Sequence, residues 1–180
     1  MASEKLLNVN QLEEILSGIA ERVVRDVEDL DHFAIVGIQT RGVELAGRLG
    51  KKIGAYSGKA VKTGTLDITF HRDDLATRGV LPVIRETRIE FDITNVTILL
   101  VDDVIFTGRT IKAALETLTT FGRPKAIKLF VLIDRGNREL PIQPDYCGHT
   151  VKTTIIDSVD VKLKEKDGVE DAVYISRKTL

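Results

Sequence analysis

The sequence predicts an α/β protein, a central parallel sheet flanked by helices. Three observations carry that expectation. HFAIVGI, VTILLV and AIKLFVLI are continuous apolar runs rich in β-branched residues, as strands buried on both faces require. At least two of them are followed by a polar loop and then an amphipathic helical pattern, the βα order of a parallel sheet. The 180 residues, 43% hydrophobic and 29% charged, suit one soluble domain spanning 1–180 that needs no disulfide.

The elements follow in chain order. Leu12, Ile15, Leu16, Ile19, Val23 and Val27 recur at helical spacing, so Gln11 to about Glu28 is expected to be a helix, with Asn10 and Glu13 as a capping box. HFAIVGI is a strand ending near Gly37. The loop QTRG follows, then a helix from Val43 to Ile53 with Gly54 past its end. TLDITF alternates as a strand. HRDDLATRGVLPVIRE, charged and holding Gly79 and Pro82, has the length and composition of a lid, and TRIEF is a short second strand. Val96 to Val101 is a strand and Ile111 to Thr120 a helix closed by Gly122 and Pro124. AIKLFVLI is the next buried strand. VDVKLKEKDGVEDAVYIS holds two alternating segments joined at KDG, a hairpin pattern.

The totals exclude several classes of function. No run of about 18 apolar residues is present, so no membrane-spanning helix is expected. MASEKLLNVNQLEE has no apolar signal-peptide core, which points to the cytoplasm. Cys147 is alone, and His32, His71 and His149 lack metal-ligand spacing. The net charge of −1 conceals local contrast: Asn10–Asp31 holds seven acids and two bases, Arg41–Lys62 six bases and one acid, and Arg123–Glu139 five bases and two acids.

The chemistry concentrates in VTILLVDDVIFTGRT. A run of apolar residues gives way to Asp102 and Asp103, whose like charges are costly side by side unless water or a ligand meets them. Ligands bind at the carboxyl ends of parallel strands. Thr107-Gly108-Arg109-Thr110 leads into a helix, whose free N–H groups favour a phosphate. The carboxylates can accept hydrogen bonds from sugar hydroxyls or hold Mg²⁺. A ribose 5-phosphate satisfies both ends. The plainer alternative is that an Asp at a strand end forms a turn or caps a helix. Neither GxxxxGK[ST] nor GxGxxG is present.

ILLVDDVIFTGRT closely resembles the signature of the type I phosphoribosyltransferases, which bind 5-phosphoribosyl 1-pyrophosphate (PRPP). VGIQTRGVELAGRL, LDITFHRDDL and LIDRGNRELPIQPDY extend the resemblance, in order, across Leu12 to Val173. They point to the branch that joins uracil phosphoribosyltransferase activity to UMP-responsive attenuation of pyrimidine operon RNA. The resemblance implies a parallel sheet with a small β hood made by the lid and the C-terminal hairpin. It also implies Mg²⁺ with PRPP, and a homodimer or higher homo-oligomer. UMP, UTP and pyrimidine operon messenger RNA would be partners.

Residue by residue, the resemblance implies that Asp102 and Asp103 hold the ribose hydroxyls. Thr107, Gly108, Arg109 and Thr110 cradle the 5-phosphate, and Val104, Ile105 and Phe106 line the same ligand. Thr40 and Arg41 contact the pyrophosphate, which makes Arg41 catalytic with the two aspartates. Arg72, Asp73 and Asp74 belong to the lid, Asp134 and Arg135 to the base pocket, and Arg138 to the RNA face. Relatives that salvage 6-oxopurines carry an acid where this chain has Phe106, which favours uracil. At the RNA face the chain departs from its relatives: Gln143 replaces an Arg, His149 a Lys, and Gly18, Glu21 and Asp26 stand where basic residues or His are usual. Two expectations of different class follow: a uracil phosphoribosyltransferase, and a nucleotide-sensing RNA attenuator in which catalysis is vestigial.

Overall fold

The computed structural model describes residues 3–69 and 86–178. Five strands, β2 (Phe33–Ile38), β3 (Lys62–Leu66), β4 (Thr97–Ile105), β5 (Ala126–Asp134) and β6 (Tyr146–Thr150), form one wholly parallel sheet in the order β3-β2-β4-β5-β6. Helices α1 (Val9–Asp26) and α2 (Arg41–Ser57) are packed together on one face, and α3 (Arg109–Leu118) on the other. Strands β1 (Ser3–Leu7), β7 (Ser158–Lys162) and β8 (Ala172–Ser176) form a separate antiparallel sheet, ordered β1-β8-β7. A one-turn helix, α4 (Lys164–Asp167), joins β7 to β8.

The alternation of side chains along each strand divides the core in two. Ile35, Leu99, Val101, Phe130 and Leu132 face Leu12, Leu16 and Ile19 of α1, Leu45, Leu49 and Ile53 of α2, and Val161, Val173 and Ile175 of the small sheet. Val36, Ile98, Leu100, Leu129 and Val131 face Ile111, Ala114 and Leu118 of α3. Both faces are buried, which is why the strands read as unbroken apolar runs. No helix among the described residues is long and apolar enough to cross a membrane.

Several boundaries differ from the sequence expectation, each for a local reason. α1 begins two residues earlier. Asn8, not Asn10, is the N-cap: its side chain accepts from Gln11 N at 3.0 Å, while Gln11 Oε1 accepts from Asn8 N at 2.9 Å. Leu7 and Leu12 flank this capping box as buried residues of one cluster, the places of a hydrophobic staple. α2 runs four residues past Ile53, through Gly54, and its C-cap is Gly58, with φ 70°. β3 spans Lys62–Leu66 rather than TLDITF, because its parallel register with β2 ends at Leu66. Asp67 then turns the chain by accepting from Thr69 N at 2.8 Å. TRIEF makes a single bridge, Arg88 with Thr65, not a strand. Among the described residues the small sheet takes its third strand from the N-terminus, an element absent from the sequence reading. The lid segment, with Arg72, Asp73 and Asp74, lies outside the described residues.

An ionic clamp ties α4 to α2. Arg48 of α2 donates to Glu165 through Nε at 3.0 Å and Nη2 at 2.5 Å, and to Asp171 through Nη1 at 2.5 Å and Nη2 at 3.0 Å. Burial alone would raise the Asp171 carboxyl, but Arg48 and the Lys164 N–H hold it below its ordinary value. Arg48 likewise lowers Glu165. A carboxylate whose pKa is lowered by folding stabilises the fold above its unfolded pKa, and that contribution is lost as pH falls through the folded value. Stability should therefore decline as pH drops below the ordinary carboxylate range. Asp171→Asn should cost about 2–4 kcal/mol at pH 7 and flatten that acid slope. Urea midpoints from pH 7 to pH 3 check both.

Candidate active site

The site begins where two neighbouring strands differ in length. β4 pairs with β2 only as far as Val101, opposite Gly37, but with β5 through Asp102 to Ile105. The sequence places Asp102 and Asp103 after the strand; the structure places them inside it, on the part that has outrun β2. The pair therefore lies beside a crevice at the carboxyl ends of the strands.

Two glycines set the far wall. A Cβ on Gly37 would lie 2.5 Å from Gly42 O and from Val43 Cα. One on Gly42 would overlap Val101 O and lie 3.3 Å from Asp102 Cα. Backbone packs on backbone here, so the β2–α2 turn sits directly against the end of β4. That contact brings Thr40 and Arg41, more than 60 residues away in sequence, beside the aspartates. The Gln39–Thr40 peptide bond within this turn is cis.

Asp102 is buried and Asp103 half-buried. Asp103 N donates to Asp102 Oδ1, and Val104 N to Asp103 Oδ1, each at 2.9 Å. Burial raises the Asp103 carboxyl above its ordinary value, against the lowering effects of Asp102 and of the Arg41 charge. Arg41 is ion-paired with Asp167 of α4.

Beyond Ile105 the chain turns through Phe106, Thr107 and Gly108 into α3. Gly108, with φ 93°, is the N-cap and offers no side-chain acceptor of its own to the first N–H groups of α3. Arg109 N donates to Thr107 Oγ1 at 3.3 Å, and Arg109 pairs with Glu139 at 2.6 Å. Thr110 is half-buried in the first turn of α3.

The β5 loop closes over this turn. Glu139 N and Leu140 N both donate to Thr107 O, at 3.0 and 3.1 Å. The Arg135 guanidinium stacks 4.0 Å from the Phe106 ring centroid and donates to Thr153 Oγ1 and to the carbonyls of Thr154 and Asp157. Its burial lowers its pKa. Arg138 pairs with Asp134 at 2.6 Å and donates to Phe106 O at 3.0 Å and Ile142 O at 2.9 Å. It is thus an internal brace of the loop, and its fork points inward. Gln143 is exposed and His149 half-buried. Elsewhere α1 exposes Gly18, Glu21 and Asp26 as well as Arg22 and Arg25.

The structure thus brings Thr40, Arg41, Asp102, Asp103 and the 106–110 turn to one crevice. Asp134 and Arg135 stand at its edge through the Phe106 stack. Sequence reading missed the Gly37–Gly42 contact and the acids that pair with the arginines of α2: Glu165, Asp167 and Asp171. The glycines carry a weak signal, flanking a strand-to-helix turn; the acids carry none.

In an α/β protein a crevice of this kind offers a ligand carboxylates on one side and a helix N-terminus on the other. A family model described as the phosphoribosyl transferase domain matches residues 2–166. Two similar proteins are each named Bifunctional protein PyrR. The one from Thermus thermophilus is 48% identical over 171 residues, covering 95% of this chain and 94% of that protein. The one from Acetivibrio thermocellus is 46% identical over 165 residues, covering 92% and 90%. The chain belongs to the phosphoribosyltransferase family and, within it, to the PyrR group. Among solved structures, a hypoxanthine-guanine phosphoribosyltransferase from Bacillus anthracis superimposes with a TM-score of 0.72 at 19% identity, covering 95% of this chain and 96% of that one. One from Leishmania tarentolae in complex with GMP gives 0.70 at 16% identity, covering 99% of each. At these identities they establish the type I fold alone.

Proposed function

We propose that the chain forms UMP from uracil and PRPP in the cytoplasm, and that it regulates pyrimidine operon RNA in response to UMP. The observation that carries the enzymatic reading is the overhang of β4 past β2. It sets Asp102 and Asp103 between the Arg41 turn and the open N-terminus of α3. In this reading the aspartates accept from the ribose hydroxyls, the 107–110 turn receives the 5-phosphate, and Arg41 meets the diphosphate. Phe106, held under Arg135, stands beside the uracil ring and gives a purine ring nitrogen no carboxylate to bind.

In the reaction a uracil nitrogen bonds to the ribose anomeric carbon as the bond to diphosphate breaks; the nitrogen's proton leaves to solvent. Positive charge develops on the ribose, next to the aspartates. The protein orients the partners and excludes water. The residues fit a magnesium ion that arrives with PRPP. No group of three or more His, Cys, Asp or Glu able to hold a metal by itself occurs among the described residues, but Asp102 and Asp103 offer carboxylates beside the diphosphate position. When bound, the ion supplies charge neutralisation to the leaving diphosphate.

The regulatory half rests on kinship with PyrR proteins. A second reading, transferase without RNA control, is favoured by one observation. Arg138 is turned inward, where it holds Phe106 O, Ile142 O and Asp134, and so is not offered to phosphates. Two assays test these readings. Magnesium-dependent UMP formation from uracil, in preference to hypoxanthine or guanine, is expected. Its absence would sink the enzymatic reading. Binding of operon leader RNA at low salt, tightened by UMP, is expected of the regulator; none at any UMP concentration leaves the transferase alone.

A further inference from the structure

Arg41 is the one cation of the β2–α2 turn, and it is fixed by a residue 126 positions later. Its Nε donates to Asp167 Oδ2 at 3.2 Å and its Nη2 to Asp167 Oδ1 at 2.7 Å. This bidentate pair occupies the Nε side of the guanidinium. Nη1 makes no hydrogen bond among the described residues, so the Nη1–Nη2 end of the fork is left over. That end carries donors in the geometry that suits two oxygens of a phosphate.

Asp167 is itself fixed. Its Oδ2 also accepts from Leu163 N at 2.9 Å, at the start of α4. α4 in turn is held to α2 by the four hydrogen bonds of Arg48 to Glu165 and Asp171, and Asp171 caps Lys164 N at 2.8 Å. The small sheet therefore grips α2 at two points one helical stretch apart, and the first of them is the diphosphate contact itself. A free arginine side chain must lose its rotamers on binding; this one has already lost them.

We propose that Asp167 is the positioning residue of the diphosphate site: it holds Arg41 side-on, so that the free end of the guanidinium receives a diphosphate without reorganisation. The small antiparallel sheet is then part of the catalytic apparatus, not only a cover. An alternative role for Asp167, a competitor that the diphosphate must displace, conflicts with the geometry: it uses the N–H of Nε and one N–H of Nη2, and the other N–H of Nη2 with those of Nη1 are left open. The inference rests on Arg41 meeting the diphosphate.

The test is steady-state kinetics of Asp167→Asn and Asp167→Ala in the full chain. Asn keeps an acceptor for Leu163 N but cannot hold the fork as a carboxylate does. Because lost pre-organisation acts on the partner that Arg41 binds, KM for PRPP should rise roughly five- to tenfold, with KM for uracil unchanged. In an Arg41→Ala background the Asp167 substitutions should have no further effect on KM. Calorimetric binding of inorganic diphosphate with Mg²⁺ should weaken in parallel, and Asp167→Glu should recover part of the loss. Unchanged KM for PRPP in a variant of wild-type melting temperature would overturn the inference while the transferase stands. A lowered KM would show competition, and would overturn it too. Absence of UMP formation by the wild type is a different failure, that of the functional reading, and diphosphate binding would still report on Asp167.

Discussion

Asp103→Asn should abolish UMP formation and leave a folded protein of equal or greater stability at pH 8. The loss should be at least roughly 10²- to 10³-fold in kcat, the scale for removing a group that meets developing charge. The stability follows from the sign of the carboxyl's shift. Folding raises the Asp103 pKa, mainly by burial, so the folded state holds its proton more tightly than the unfolded state does. Between the unfolded and folded pKa values the native protein binds more protons, and stability falls as pH rises through that window. Above it, the wild type carries an ionised carboxylate next to Asp102, which Arg41 and the Val104 N–H compensate in part. An asparagine carries no charge there, and its carbonyl can still accept from Val104 N. Thermal melts of both proteins from pH 5 to pH 8, beside turnover assays, check the prediction. A variant that is both inactive and unfolded would show that Asp103 is structural.

Gly42→Ala should produce the second large effect, by geometry rather than charge. The new methyl would overlap Val101 O and press on Asp102 Cα. Neither is a side chain that can swing away, so α2 must shift away from β4. Overpacking of this kind costs about 1–3 kcal/mol. The shift would carry Arg41 away from the aspartates, and a displacement near 1 Å at a reacting centre can cost about 10²-fold in rate. Gly47, five residues further along the same helix, is the control. Nothing lies within 4 Å of a Cβ built there. Gly47→Ala should keep full activity and gain up to about 1 kcal/mol from helix propensity. Chemical denaturation and kcat/KM of the two variants separate close approach from glycine content in general.

The α/β class and the DD–TGRT constellation were legible because both are local. Unbroken runs such as AIKLFVLI report burial on two faces, and a strand, two acids, a small turn and a helix lie within twenty consecutive residues. Termini were less legible, since competing signals sit a few residues apart. Asn8-x-x-Gln11 and Asn10-x-x-Glu13 are equally good capping boxes on paper, and packing of Leu7 and Leu12 accompanies the first. Gly54 and Gly58 both look like helix ends, but only Gly58 takes the left-handed conformation. β1 is too short and too polar to be seen as a strand: Ser3-Glu4-Lys5 owes its extension to the edge of β8.

By itself, then, the sequence determined the chemistry of the crevice: which carboxylates, hydroxyls and backbone N–H groups could meet a sugar phosphate. Tertiary structure decided where those groups stand. Strand pairing alone made β4 longer than β2, so that Asp102 and Asp103 overhang a space. Contact between Gly42 and Val101 brought Arg41 to that space. The pairing of Arg41 with Asp167, and of Arg48 with Asp171, joins residues more than 120 positions apart. No periodicity or local spacing encodes such pairs, because two side chains meet only after β7, α4 and β8 have folded back over α2.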